Sequence, residues 1–324
     1  MTVIIPPVNN PPSCTPGVDV SFLFAPYTAS RISIGLDPRL HEIKCGAEAL
    51  RIREVFRGFA MLDREFGTNG TPPESFAMIG PGSGIEAIGA GHIFTRLRRI
   101  TVVDRDRTLL EQAAANIRGN IDGGIEVEAQ RRDLWAPVST SARRTSDILY
   151  ANLSNVPFTA APGAIIDRLA PCPPVGQVAE AEVLDFHLLH LHYRFLRWMS
   201  GALTPGGCAL LMFGGRVDCA IFDHLAAAAS VRLEEVVCAL KQQTDAWNVV
   251  SAHAAAETEH GVEFDFYDYE AARRGVPRSG ALSGAGLRTA LAPWRLSARA
   301  ALGELRFGLK IGHTIQLLKA TPQG

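Results

Sequence analysis

The sequence has no long apolar run, no closely spaced cysteines and almost no net charge. None of its uninterrupted apolar stretches, in 324 residues, reaches the length of a membrane-spanning helix. Six cysteines stand apart at positions 14, 45, 172, 208, 219 and 238, without a CxxC pair. A reduced chain with neither disulfides nor a zinc site is expected, with Cys208 and Cys238 as buried thiols in apolar runs. Lysine and arginine number 32 against 33 acidic residues, a formal net charge of −1, so nothing points to a nucleic-acid backbone as partner. The first residues, Met1 to Pro7, lack the basic region and apolar core of a secretory leader, and a cytoplasmic location is expected. Apolar residues make up 47%, enough for a sizeable core. The length suits one large α/β domain or a domain with an extension.

The most informative stretch runs from Phe76 to Glu86, Phe-Ala-Met-Ile-Gly-Pro-Gly-Ser-Gly-Ile-Glu. A short apolar run, glycine at 80, 82 and 84, and an amphipathic segment predict strand, tight turn and helix. Glycines admit positive φ and let a ligand approach a backbone without Cβ atoms in the way. The N–H groups of the following helix point at whatever sits there. Ile85 stands where a dinucleotide GxGxxG turn would need its third glycine. About twenty residues on, Arg99 to Asp106 predicts a second buried strand ending in the acid Asp104, whose carboxylate can accept both hydroxyls of a ribose. The alternative for the pair is a ligand-free turn and an ordinary helix-leading aspartate.

Further along, strand and helix patterns alternate. Strands are expected near 76–79, 99–103, 124–129, 147–151 and 207–213, and helices near 83–95, 107–118, 181–200 and 217–229. This order predicts a doubly wound, mostly parallel α/β sheet. Before it, a Pro-rich segment to about residue 17 and helical periodicity over 39–66 form an N-terminal extension or lid, residues 1–73. Residues 74–324 form the catalytic domain, with an insertion around 241–310. Residues 157–179, broken by five prolines, could cover a pocket. Val231 to Leu240 and Phe264 to Tyr269 are candidate strands, 270–308 is hard to read, and Gly312 to Lys319 is a good final strand.

Taken together these pieces resemble a class I S-adenosylmethionine-dependent methyltransferase, over roughly 74–240 plus the last strand. Ile79 to Gly84 resembles the first motif, whose turn lies under the methionine and ribose of the cofactor. Asp104 matches the ribose acid, with Arg105 beside it. Arg131-Arg132-Asp133-Leu134-Trp135 resembles the segment in which an acid, here Asp133, takes the adenine amino group and the next apolar residue, Leu134, packs on the ring. Leu203-Thr204-Pro205-Gly206-Gly207 matches the turn into strand five. The resemblance implies a seven-stranded sheet with an antiparallel last strand and S-adenosyl-L-methionine as cofactor.

A narrower similarity follows strand four. Asn152-Leu153-Ser154-Asn155-Val156-Pro157 resembles the Asn-Pro-Pro-Tyr signature of the release-factor glutamine methyltransferases and other amine methyltransferases. Leu153 and Ser154 replace the prolines, and Asn155 replaces the aromatic that stacks on the planar substrate. A small-molecule acceptor, methylated at nitrogen or oxygen, is therefore expected.

In that chemistry the side-chain carbonyl of Asn152 can accept an N–H from an attacking amine and orient its lone pair. An Asx-type turn is the alternative reading for both Asn152 and Asn155. Tyr193 is a candidate for a cation–π contact to the sulfonium, against an ordinary aromatic on an amphipathic helix. His187, His190 and His192 share the helix expected over 181–200; a general base among them is an open reading, and no acid motif completes a metal set. Glu86 either sits in the first helical turn for the dipole or approaches the cofactor. Tyr27 and Arg31 either touch substrate or lie in a surface loop. Two other functions remain open at this level: an intramolecular cyclase similar to azetidine-2-carboxylate synthases, releasing methylthioadenosine, and a non-catalytic binding subunit on the same fold.

Overall fold

The computed structural model describes residues 3–4, 17–36, 47–132, 145–153, 155, 179–276 and 284–323. In chain order the elements are β1 (Val3–Ile4), β2 (Val18–Asp19), β3 (Ser33–Ile34), α1 (Ala47–Asn69), β4 (Ser75–Ile79), α2 (Ile85–Ile93), β5 (Arg99–Asp104), α3 (Arg107–Arg118), β6 (Glu126–Arg131) and β7 (Ser146–Ala151). There follow α4 (Ala179–Phe186), α5 (His190–Ala202), β8 (Leu203–Gly215), α6 (Cys219–Ala229), β9 (Val231–Gln242) and α7 (Ala246–His260). The last are β10 (Phe266–Asp268), α8 (Tyr269–Gly275), α9 (Gly284–Leu291), β11 (Arg295–Leu296), α10 (Ala298–Leu305) and β12 (Ile311–Pro322). They fall into two compact units: Met1–Asn152 with Trp198–Leu210, and Leu153–Arg197 with Leu211–Gly324.

In the first unit the strand order is β1-β6-β5-β4-β7-β8. β4 is parallel to both β5 and β7, and β5 to β6; the two-residue β1 pairs antiparallel with β6 at the edge. All five residues of β4 are buried, as a strand covered on both faces requires. On α1 the residues Ile52, Val55, Phe56, Phe59 and Leu62 are buried at helical spacing. Phe59 is the hub of that face, with ring centroids 5.7 Å from Phe76, 5.5 Å from Phe94 and 5.4 Å from Tyr150. α3 opens on Asp106, whose carboxylate accepts from the amides of Thr108 and Leu109, and ends at Gly119.

In the second unit β12 lies between β9 and β10 and runs antiparallel to both. The β9–β12 ladder extends from Gly312 opposite Gln242 to Pro322 opposite Val231, with a bulge at Leu317/Leu318. The mixed, largely parallel α/β sheet agrees with the strand–helix alternation, and its antiparallel last strand with the family resemblance; the short β1, β10 and β11 pair in addition to the seven strands that the resemblance implies. Cys208 and Cys238 are buried thiols, as expected.

Three local expectations need correction. The helix expected over 181–200 is two helices, α4 and α5, broken where Leu188 takes φ +62°. Leu184, Leu189, Phe195, Leu196 and Met199 are buried on both sides of the break, so the apolar periodicity conceals it. The strand expected over 264–269 is confined to Phe266–Asp268, because the Asp268 carboxylate caps α8 by accepting from the Ala271 amide. Residues 270–308, illegible in sequence, carry the short helices α8, α9 and α10. The Pro-rich start at 5–16, the segment 157–178 and the 37–46 end of the expected first helix lie outside the described residues.

Asp147 staples the amino ends of β4, β7 and β8. One of its oxygens accepts from the Glu74 and Ser75 amides at 2.9 Å and Ser75 Oγ at 2.8 Å, and the other from Thr204 Oγ1 at 2.6 Å. Burial alone would raise its pKa, but those donors outweigh it and hold the carboxyl below the ordinary aspartate value. A depressed folded-state pKa contributes stability that is present above the unfolded value and is lost as pH falls through the folded one. Asp147→Asn is expected to cost about 1–3 kcal/mol in urea unfolding at pH 7, through one unmatched buried group. It should also flatten the loss of stability below about pH 4 relative to the parent protein.

Candidate active site at the carboxyl edge of the parallel strands

Strand register decides which residues leave the first unit's sheet side by side. Ile79 of β4 pairs with Val103 of β5 and with Ala151 of β7. The next residues along these strands, Gly80, Asp104 and Asn152, therefore emerge together at the carboxyl edge, beside the switch point where ligands of open α/β sheets bind.

Gly80, Gly82 and Gly84 have φ of +66°, +52° and +83°. An L side chain is strained at each, so glycine is what permits this turn. Gly80 N–H is tied to the Val103 carbonyl at 2.9 Å and Gly84 N–H to the Pro81 carbonyl at 2.7 Å. A Cβ placed on Gly80 or Gly82 would meet nothing within 4 Å, which leaves room for a ligand against the bare backbone. α2 starts directly afterwards, without a side-chain cap from Gly84.

Asp104 is partly buried, and burial raises its carboxyl pKa against the opposing hydrogen bonds from the Asp106 and Arg105 amides. Its Oδ1 accepts from Asp106 N–H at 2.9 Å. The side chains of Arg105 and Asn152 are exposed, and Arg105 offers its carbonyl to Arg131 Nε at 3.1 Å. Asp133 and Leu134, expected to hold the adenine, lie outside the described residues.

Two residues that the sequence did not single out complete this edge. Asn116 of α3 accepts Gly35 N–H at 2.8 Å and donates to the carbonyls of Gly35 and Ser83, both at 2.9 Å. One amide thus ties the segment after β3 to the glycine turn. Arg51 of α1 donates through Nη1 to Glu86 Oε1 at 2.7 Å and through Nε to Glu48 Oε2 at 3.1 Å. Burial works against the Arg51 charge, but the neighbouring Glu86 carboxylate outweighs it and raises the guanidinium pKa. Tyr150, fully buried at the end of β7, has its hydroxyl pKa pushed well up, first by burial and then by Glu86. Neither Asn116 nor Arg51 sits in a local motif; an arginine three residues after a glutamate reads as a solvated helix pair.

The remaining candidates are placed as follows. Tyr27 is half-buried with its ring 6.0 Å from Phe56, and Arg31 pairs with Asp19 on the surface. Asn155 and Tyr193 belong to the second unit. Asn155 is buried, with Nδ2 donating to the Gly214 carbonyl at 2.7 Å and Oδ1 accepting from Arg216 Nη1 at 3.0 Å. Arg216 also donates to Gln243 Oε1 at 2.7 Å and faces His313 Nε2 at 3.3 Å. Tyr193 is half-buried on α5. His187 and His190 do not share a helix. His187 lies in the turn, with Nδ1 at 2.8 Å from the Val183 carbonyl, and His190 Nδ1 is 2.7 Å from Asp185 Oδ1. His192 is buried against Phe213, and burial brings its pKa down to about 3. Among the described residues no group of three or more His, Cys, Asp or Glu could hold a metal ion, and no helix is long and apolar enough to cross a membrane.

No protein-family model matches the chain, and neither does any curated protein sequence. Solved structures with some likeness include a ribosomal protein L11 methylase from Lactobacillus delbrueckii subsp. bulgaricus, 19% identical over 61% of this chain and 76% of that one, with a TM-score of 0.35. Another is phosphoethanolamine N-methyltransferase 2 of Haemonchus contortus in complex with S-adenosyl-L-methionine, 13% identical over 82% and 52%, with a TM-score of 0.36. A third is the precorrin-6y C5,15-methyltransferase of Geobacter metallireducens, 10% identical over 90% and 93%, with a TM-score of 0.37. Activity has to be read from the chain's own residues.

α1 packs flush on α2 at Gly89, where an added Cβ would lie 2.0 Å from Phe56 Cε1. Gly89→Ala forces that ring to move and is expected to cost about 1–3 kcal/mol in urea unfolding. Phe56→Leu in the same chain should recover part of the loss, because it removes the clashing ring edge.

Proposed function

We propose that this protein is an S-adenosyl-L-methionine-dependent methyltransferase acting on a nitrogen or oxygen of a small molecule. The observation that carries the reading is the left-handed glycine turn emerging at the same sheet level as Asp104 and Asn152. Open space over Gly80 and Gly82 suits a bulky ligand laid against the backbone. Asp104, an acid at the end of the adjacent strand, is suited to accept the ribose hydroxyls. Arg105 borders the same turn. Asp133 and Leu134 keep the adenine role that the family resemblance implies for them.

When bound, S-adenosylmethionine supplies an electrophilic methyl group on a sulfonium. The chain then has little to do beyond aligning a nucleophile and excluding water. Asn152, at the carboxyl edge, accepts an N–H of the attacking amine through its side-chain carbonyl and points the lone pair away from that hydrogen. Asn155 and Tyr193 belong to the second unit, where the Asn155 amide holds the Gly214 carbonyl and Arg216. Residues 1–73 serve this site as an extension, since they supply Arg51 and the Gly35 peptide that grip its rim.

Asp104→Ala is expected to weaken S-adenosylhomocysteine binding about tenfold or more in calorimetry, from the loss of a charge-assisted bidentate partner. Asn152→Ala should leave that affinity within about twofold and lower the rate of methyl transfer about a hundredfold, as loss of an orienting group does. The acceptor class is tested by mass spectrometry of S-adenosylmethionine incubated with the protein, alone and with a host metabolite extract. A product 14 mass units heavier than an extract component, together with S-adenosylhomocysteine, supports methyl transfer. Methylthioadenosine from the cofactor alone contradicts it in favour of ring closure, and absence of any binding contradicts both.

A further inference from the structure

Two asparagines of α3 hold the chain at β3 as a neighbouring strand would. The Asn120 side chain accepts from Ser33 N–H at 2.9 Å and donates to the Ser33 carbonyl at 2.8 Å. Asn116, one turn earlier, makes the same two contacts with Gly35, at 2.8 Å and 2.9 Å. The spacings match: four residues of a helix rise about 6 Å and two of a strand about 6.6 Å. Both residues present their backbone groups to the same side, as alternate residues of an extended chain do. Ile34 between them pairs instead with Val18 of β2 and is fully buried. At Gly35 a Cβ would lie 3.2 Å from Gln112 Nε2, so glycine lets this strap approach α3 closely.

Asn116 has a third contact, from Nδ2 to the Ser83 carbonyl at 2.9 Å. A side-chain amide is planar and its nitrogen carries two hydrogens. Aiming one at Ser83 therefore directs the other, and Oδ1, at Gly35. Ser83 lies between Gly82 and Gly84, whose φ are +52° and +83°. Glycines give such a turn more freedom to lose than other residues would. A ligand laid against the turn removes that freedom, and docking the strap through Asn116 then costs less.

We propose that residues 33–35 form a strap whose docking on α3 is coupled to occupation of the glycine turn, with Asn116 as the positioning residue between them. This rests on the reading of the turn as a ligand seat, and it adds regulation of that seat. By linkage the docked strap raises ligand affinity by the factor by which ligand favours docking. The coupling is local. Val20, Leu23, Phe24 and Ile32 of the same segment are buried, and Phe24 packs 4.9 Å from the Phe56 ring, so they stay anchored.

The test is amide hydrogen exchange followed by NMR on the full chain, with and without saturating S-adenosylhomocysteine, alongside calorimetry. Ligand is expected to slow exchange at Ser33 and Gly35 about tenfold, and at Val20 by no more than about twofold. Val20 N–H bonds the Ile32 carbonyl and serves as the internal reference. In Asn116→Leu the ligand-dependent slowing at Ser33 should fall to within about twofold, although Asn120 still holds that amide. A merely structural Asn116 would speed exchange equally with and without ligand. Asn120→Ala, which loosens the strap without touching the turn, should weaken S-adenosylhomocysteine binding about threefold. If Asn116→Leu does not fold, the Asn120→Ala affinity decides. Binding to the parent with unchanged exchange at Ser33 and Gly35 overturns the coupling alone. Equal slowing at Val20, as general stabilisation by a ligand gives, overturns it too. Failure of the parent to bind overturns the reading of the glycine turn, and the coupling with it.

Discussion

Between the last residue of β4 and the first of α2 the backbone has five residues in which to reverse, and it does so through three glycines with positive φ. That constraint organises the rest of the first unit. The turn can exist only where side chains are absent, so it leaves open room against the backbone at the sheet's carboxyl edge. The register of β4, β5 and β7 then delivers Asp104 and Asn152 to the same level. The surrounding elements hold the turn from outside it: Val103 through Gly80 N–H, Asn116 through the Ser83 carbonyl, and Arg51 through Glu86.

One of those holds, Arg51, comes from the residues before the first central strand. α1 lays Phe56 and Phe59 against the sheet and α2, and carries Arg51 to the rim of the turn. The short piece ending at Gly35 is stitched to α3 by a single amide that also reaches the turn. One helix therefore both packs on α2, where Gly89 must be small, and pairs Arg51 with Glu86. The second unit keeps its own polar centre around Arg216, where Asn155, Gln243 and His313 meet the guanidinium. Burial, with the Arg216 charge next, keeps His313 well below the ordinary histidine pKa, so its imidazole is neutral.

Much of this was legible in the amino-acid order because it depends on local backbone chemistry. Glycines at alternate positions between an apolar run and an amphipathic one announce the turn, and alternation of strands and helices announces the sheet. What escaped depends on contacts far apart in sequence or on single backbone angles. Leu188 in a left-handed conformation breaks a helix whose apolar spacing runs through it undisturbed. Asn116 looks like one more polar residue on a helix until Gly35 and Ser83 are brought to it, 81 and 33 positions away. Arg51 and Glu86 are 35 residues apart and belong to no motif. The short helices between 269 and 305 were obscured by glycine, arginine and alanine, which punctuate without giving a clean period.

The central claim is that the glycine turn and Asp104 together seat an adenosyl ligand, and a crystal soaked with S-adenosylhomocysteine tests it most directly. The account predicts density against Gly80–Gly84 with the ribose hydroxyls on the Asp104 carboxylate. Density at any other place in the protein, or none at saturating concentration, would contradict it.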